Sequence, residues 1–310
     1  MSKRIPTITQ KQVASSLKPR PHDSHKGQFG TVLVIGGASG MVGAALLAGR
    51  AALKLGAGCV HVGLLADDTP AVDMVQPELM LHRAADVLNI FGNPPLPQSL
   101  PRWEREAKPF SHRGKGWEGG DVIAIGCGMG TSIPAQKLLF DTLGRDTALV
   151  LDADALNLLA RHPDLQDDLR ARKAATVITP HPGEAARLLD MTTTEVQAAR
   201  TESAQQLAEK LHCTVVLKGA DSVCVTRNGK IYLNKTGNPG MSAPGMGDVL
   251  TGMIAAFLAQ GLNADQALLL AVHLHGAAGD ALAEQGVAVG MTATELTEWA
   301  RWLINQWQSQ

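Results

Sequence analysis

Hydrophobic positions along this chain follow two rhythms. Short unbroken apolar runs rich in Val, Ile and Leu alternate with longer stretches in which apolar residues recur every third or fourth position. The first pattern fits strands buried on both faces, and the second fits helices with one apolar side. After an amphipathic piece around Val13 and Leu17, stopped by Pro19 and Pro21, the first clear strand is Thr31 to Ile35. It runs into GGASGMVG at 36–43 and an alanine-rich helix, Ala44 to Leu55, closed by Gly56. Cys59 to Leu65 and Glu78 to His82 read as further strands, whereas the proline- and glycine-rich 93–120, with Trp103 and Trp117, matches neither rhythm. Alternation resumes with strand Asp121 to Ile125, the loop GCGMG at 126–130 and helix Ile133 to Leu143. Strand Thr147 to Leu151 delivers Asp152 and Asp154 to its carboxyl end, ahead of helix Ala155 to Ala160. Strand Thr176 to Thr179 delivers PHPGE at 180–184, where Glu184 opens a helix, and a long polar helix covers Thr194 to Leu211.

Thr214 to Lys218 is another strand, and Val223 to Arg227 with Lys230 to Asn234 flank Asn228-Gly229, a strong hairpin signal. Three helices close the chain: Val249 to Ala259, Ala264 to Glu284 and Ala293 to Trp307. Strands alternating with helices predict a three-layer α/β/α sandwich with a mainly parallel central sheet and an antiparallel ribbon beside it. The 310 residues, 45% of them hydrophobic, are enough for one large domain over 1–310 and tight for two. With 28 basic and 29 acidic residues, the balance suggests neither a nucleic-acid surface nor a membrane anchor, so an anionic ligand must be caught locally. Cys59, Cys127, Cys213 and Cys224 form no CxxC pair and read as reduced, structural thiols. The N-terminal stretch lacks the apolar core of a secretory signal and no apolar run is long enough to cross a bilayer, from which a cytoplasmic protein is expected.

The chemistry concentrates at Gly237 to Gly252, GNPGMSAPGMGDVLTG, where a glycine-rich loop enters an apolar helix. A helix N-terminus has unpaired N–H groups and partial positive charge, so a loop cleared by glycine there can hold a phosphate. Capping is the ordinary explanation for a first-turn carboxylate such as Asp248. The glycine density before it favours instead a base facing an anion hole. The loops at 36–43, 126–130, 180–184 and 237–248 all follow strands, where open α/β sheets bind ligands. Neither GGASGMVG nor GCGMG has the GxGxxG spacing of dinucleotide-binding folds, and no GxxxxGK[ST] phosphate loop exists.

The ordered set HKGQFG (25–30), GGASGMVGAA, GCGMG, DADALN (152–157), ITPHPGE (178–184), VVLKGAD (215–221) and NPGMSAPGMGDVLTG (238–252) resembles the ADP-dependent (S)-NAD(P)H-hydrate dehydratase family of the ribokinase-like superfamily. The resemblance covers nearly the whole chain. It implies a repair lyase: hydrated NADH or NADPH is phosphorylated on its ring hydroxyl by ADP, and expulsion of the phosphate restores the dihydronicotinamide and leaves AMP. It further implies Mg2+, a homo-oligomer of four copies, and an epimerase acting as a separate protein, since the length leaves no room for that domain.

By position in the family motifs, Asp248 is the catalytic base, and Ala44, Gly128, His181 and Asp248 contact the hydrate. Lys218, Gly219, Ala220, Asp221, Ser222 and Gly247 contact the nucleotide. From the residues alone, Ala44 and Gly128 serve either close backbone approach or helix packing, His181 is a presented ligand or a turn histidine, and Lys218 is otherwise a strand-end lysine in solvent. Glu184 reads as a helix cap. Asp152 and Asp154 either assist magnesium through water or cap helices, and the metal ligands are left open. Pro244 departs from the glycine or alanine usual in the family and removes a backbone donor, which bears on ADP against ATP as donor. The rival reading is an ATP-dependent small-molecule kinase of the same fold, releasing a phosphorylated product; a non-catalytic nucleotide sensor would not need Asp248.

Overall fold

The computed structural model describes residues 5–88 and 120–308, so the unassigned stretch at 93–120 lies, but for Gly120, outside the described residues. The strands are β1 (Thr31–Gly36), β2 (Cys59–Leu64), β3 (Met80–Arg83), β4 (Asp121–Ile125), β5 (Ala148–Leu151), β6 (Thr176–Ile178), β7 (Thr214–Leu217), β8 (Val223–Val225) and β9 (Ile231–Leu233). They form one sheet in the order β3-β2-β1-β4-β5-β6-β7-β8-β9. Pairing is parallel from β3 across to β7 and antiparallel for β8 and β9. The parallel sheet with its ribbon at one edge is therefore as expected from the apolar runs. The helices are α1 (Gln10–Ala14), α2 (Val42–Lys54), α3 (Ala84–Val87), α4 (Ile133–Leu143), α5 (Asp154–Arg161), α6 (Pro163–Ala171), α7 (Pro182–Leu189), α8 (Thr193–Ala198), α9 (Arg200–Leu211), α10 (Met246–Ala259), α11 (Ala264–Glu284) and α12 (Ala293–Gln308). No helix among the described residues is long and apolar enough to cross a membrane.

Alternate residues of each strand enter separate cores. Val32, Val34, Val60, Val62, Val122 and Ala124 pack under α2, α10, α11 and α12 on one face. Leu33, Ile35, Ile123, Ile125, Leu149 and Leu151 pack under α3 to α9 on the other. Because both faces are dry, every residue of β1 is buried, which is why that strand reads as a continuous apolar run. All four cysteines are free and buried, as their apolar settings suggest.

Among the elements that differ from the periodicity, besides the single-turn α3, are two longer ones. The helix expected over 194–211 is broken at Ala199, whose φ of −133° and ψ of 52° leave the helical region. The break lets Arg200 turn its guanidinium to the carbonyls of Leu217 (3.1 Å) and Lys218 (3.3 Å), a contact that a local pattern does not contain. Helix α6 is the second, an element the apolar rhythm does not predict, although Pro163 at its first turn is a start signal.

The helix that carries Asp248 is held hard against its neighbour. Gly252 of α10 lies so near α2 that a Cβ there would stand 2.1 Å from the Ala48 carbonyl oxygen. That atom is backbone and cannot swing aside, so Gly252→Ala is expected to cost at least about 1–3 kcal/mol by overpacking. Thermal melts of the two proteins check this, and an unchanged melting temperature would contradict the packing.

Candidate active site at the sheet switch point

The chain enters the sheet at β1, proceeds outward to β2 and β3, then returns to the other side of β1 with β4. At such a reversal the loops leaving two neighbouring strands diverge and leave a crevice at their carboxyl ends. The loops after β1 and β4 line it. Gly37 N–H donates to the Cys127 carbonyl (3.0 Å) and Ala38 N–H to the Gly128 carbonyl (2.7 Å), fastening one loop to the other. Gly128 has φ +58°, and a Cβ on it would lie 2.8 Å from Met41 and 3.1 Å from Ala44 Cβ. Two residues singled out from sequence, Ala44 and Gly128, are thus in contact. Beyond them the Asp154 carboxylate accepts from Gly130 N–H at 2.8 Å, and Lys218 N–H donates to the Pro180 carbonyl at 2.8 Å.

The floor of the crevice is an ion pair. Lys218 Nζ donates to Asp152 Oδ1 at 2.6 Å, and the lysine side chain is only 19% exposed. It is therefore no solvated strand-end lysine. Asp152 also accepts from Ala153 N–H at Oδ1 (2.8 Å) and from the Thr251 hydroxyl at Oδ2 (2.9 Å). Burial alone would raise the Asp152 carboxyl, but the Lys218 charge and these hydrogen bonds hold it below the usual carboxylate range. Burial alone would likewise lower Lys218, yet Asp152 and Glu184 hold it above its ordinary value. Both directions describe a charged pair. Gly247 sits directly over it: a Cβ there would be 3.2 Å from Lys218 Nζ and 3.5 Å from Asp152 Oδ2.

Asp248 follows in the first turn of α10, a helix that starts at Gly245 with φ 86° and no side-chain cap. Its carboxyl is pushed up to about 6, first by burial and then by Asp152, while a hydrogen bond from the Cys127 thiol and the charge of Lys218 oppose the rise. The thiol is itself driven well above its ordinary value by burial and by the Asp248 charge, so it stays protonated and donates. The loop is braced from behind by His275, whose Nε2 meets the Met246 carbonyl at 2.9 Å and whose pKa burial lowers to about 4.

His181 and Glu184 open α7 as a capping box. His181 Nδ1 accepts from Gly183 N–H (3.0 Å), and Glu184 Oε2 accepts from His181 N–H (2.8 Å). Because Nδ1 accepts, the neutral ring carries its proton on Nε2, which lies 3.2 Å from Glu184 Oε1. Burial, then Lys218 and Arg187, lowers the His181 pKa and favours that neutral form. Burial raises Glu184 to about 7 despite Lys218 at 4.0 Å. The cap reading of Glu184 holds, and its partner is the histidine expected to face the substrate.

Lys218, Gly247, Asp248 and His181 therefore converge on one crevice with Gly128 and Ala44. The run Gly219 to Ser222 leads outward from it: Gly219, Ala220 and Asp221 are exposed, the Ser222 hydroxyl donates to the Gly219 carbonyl (3.0 Å), and Asp221 pairs with Lys235. Reading from sequence passes over Thr251 and the contact of Cys127 with Asp248. Thr251 is findable, as a hydroxyl inside an otherwise apolar helix face; the thiol contact joins loops far apart in sequence.

Among the described residues no cluster of three or more His, Cys, Asp or Glu side chains forms a metal cage. Magnesium is commonly held by one or two carboxylates together with substrate phosphates, so a crevice with Asp152, Asp154, Glu184 and Asp248 beside an anion-binding helix start fits that ion. Asp152 is already engaged by Lys218 and Thr251, and Asp154 by Gly130 and Asn157.

A family described as NAD(P)H-hydrate dehydratase matches residues 32–301 of this chain. The ADP-dependent (S)-NAD(P)H-hydrate dehydratase of Neisseria meningitidis serogroup B is 39% identical over 93% of this chain and 90% of its own length. A bifunctional NAD(P)H-hydrate repair enzyme of Coxiella burnetii is 38% identical over 95% of this chain, which spans 54% of that longer protein. Among solved structures, the ADP/ATP-dependent NAD(P)H-hydrate dehydratase of Bacillus subtilis, co-crystallised with ATP and Mg2+, is 28% identical with a TM-score of 0.78, covering 99% of this chain and 100% of that one. The architecture is the ribokinase-like α/β fold of such dehydratase structures. With the matched residues running from the first strand to the last helix, the chain belongs to the NAD(P)H-hydrate dehydratase family.

Proposed function

We propose that the Gly247-Asp248 junction carries out ADP-dependent dehydration of the S-epimer of hydrated NADH or NADPH, returning NAD(P)H with AMP and inorganic phosphate. The observation that carries this reading is a carboxyl held at about 6 in the first turn of a helix that opens, through Gly245 and Gly247, onto the crevice. The ring hydroxyl attacks the terminal phosphoryl group of ADP. Its O–P bond forms as the bond to AMP breaks, and the hydroxyl proton passes to Asp248. The new phosphate ester then leaves with the C–O electron pair as the ring nitrogen's lone pair delocalises, and loss of a proton from the adjoining ring carbon to water restores the double bond. Phosphate succeeds as a leaving group where hydroxide fails.

In this reading Lys218, Gly219, Ala220, Asp221, Ser222 and Gly247 hold the nucleotide, with the ammonium of Lys218 and the N–H groups of α10 facing the migrating charge. Ala44 and Gly128 admit the dinucleotide to close backbone approach, and neutral His181 offers a ring N–H. Mg2+, when bound, supplies charge neutralisation across the donor phosphates. The homo-oligomer and the separate epimerase expected from the resemblance belong to the same proposal.

Incubation of the protein with the hydrate, magnesium and either ADP or ATP, followed by dihydronicotinamide absorbance, tests the reaction. A phosphorylated product that persists without recovery of absorbance would favour the kinase. Asp248→Asn keeps shape but not basicity, so turnover is expected to fall about 10²–10⁴-fold with little change in nucleotide affinity; near-normal repair would return Asp248 to the role of a cap. Because the base must be ionised and its carboxyl sits at about 6, kcat/KM should rise with pH through about 6 and level off above it. A profile flat from pH 5 to 8 would contradict that assignment. AMP should raise the melting temperature by binding the folded protein alone, and no shift at millimolar AMP would count against the nucleotide residues.

A further inference from the structure

Thr251 lies one turn beyond Asp248 in α10, fully buried beside Val249, Leu250, Met253 and Ile254. A buried threonine in a helix ordinarily satisfies its hydroxyl on the carbonyl four residues back. This one reaches across the layer to Asp152 Oδ2 at 2.9 Å instead. The two oxygens of Asp152, a residue 1% exposed, thereby have separate partners: Oδ2 takes Thr251, Oδ1 takes Lys218 Nζ at 2.6 Å and Ala153 N–H at 2.8 Å, and the Thr179 hydroxyl just after β6 also bears on the carboxylate. The ammonium so held stands 3.2 Å from the point where a Gly247 side chain would begin. Lysine is a point charge on a flexible four-carbon stem, so its place under the anion-binding turn depends on what anchors it.

We propose that Thr251 and Asp152 are positioning residues: the Thr251 hydroxyl fixes the rotation of the Asp152 carboxylate, and that carboxylate aims the Lys218 ammonium at the phosphoryl group transferred from a nucleoside diphosphate over Gly247. The inference rests on the reading of Lys218 and Gly247 as nucleotide residues. Charged and titratable groups from several elements bear on the lysine: Asp152 from the end of β5, Glu184 of α7 at 4.0 Å, Cys127 from the loop after β4, Asp248 of α10 and His275 of α11, with His181 beside Glu184. Asp152 is the one in direct contact. It also keeps a buried lysine charged, which burial opposes.

Steady-state kinetics on Thr251→Val, Thr251→Ser and Lys218→Met, each with a thermal melt, separate the possibilities. Thr251→Val keeps the shape and removes the hydroxyl. It is expected to lower kcat by about 10- to 10²-fold, the scale of a misplaced catalytic group, with the KM for the hydrate unchanged, and Thr251→Ser should recover most of the loss. Wild-type kcat in Thr251→Val alongside an impaired Lys218→Met overturns the positioning role and leaves the nucleotide assignment standing. Near-normal turnover by Lys218→Met overturns the assignment beneath it. Should Thr251→Val melt below the assay temperature, Asp152→Asn decides. That variant is expected to lower kcat at least as far as Thr251→Val, with the KM for the hydrate unchanged, and wild-type kcat in it overturns the proposal.

Discussion

Burial of both faces of a parallel sheet leaves only the strand ends for polar chemistry. In this protein the strands β1, β4 and β5 are packed dry beneath helices on either side, so backbone groups and charges can meet a ligand only where the chain leaves the sheet. The reversal of strand order between β1 and β4 selects one place along that edge. Everything assigned to the candidate site hangs from it: two loops fastened to each other by Gly37 and Ala38, Asp152 at the end of β5, Lys218 at the end of β7, and the N-terminus of α10 descending over them.

A charge in so dry a place must be paired, and the pairing sorts the carboxyl groups. Asp152 touches a lysine and is held below the ordinary range. Asp248 and Glu184, also desolvated but farther from that cation, are raised to about 6 and about 7. One lysine thus leaves three neighbouring acids with different proton affinities, which is the condition for one to remain a fixed anion while another accepts a proton near neutral pH.

Much of the fold was legible because its signals are local. Val, Ile and Leu in unbroken runs fit strands covered twice, Asn228-Gly229 can turn a hairpin, and Gly56 after α2 marks a helix end without reference to anything distant. The break at Ala199 was not legible, because the contact it permits, Arg200 with the carbonyls at the end of β7, lies outside any local pattern. The glycine junction was recognisable for the same local reason as the strands: glycines before an apolar helix, with a carboxylate in the first turn, describe an anion site whatever surrounds it.

By itself the sequence determined the layered α/β order, the succession of loops at strand ends and the identity of Asp248 as the group to watch, since each follows from spacing within a few residues. Only the tertiary structure decided which partners those groups have. The Lys218 ammonium and Asp152 are 66 positions apart, and Thr251 is 99 from Asp152. Nothing in local periodicity sets a hydrogen bond across such distances. It is the stacking of α10 over the end of β5, with Gly247 above the lysine, that turns a strand-end Lys218 into a buried, anchored charge and a first-turn aspartate into a carboxyl poised near neutrality, because desolvation and Coulomb attraction depend on where atoms lie in space rather than on their order in the chain.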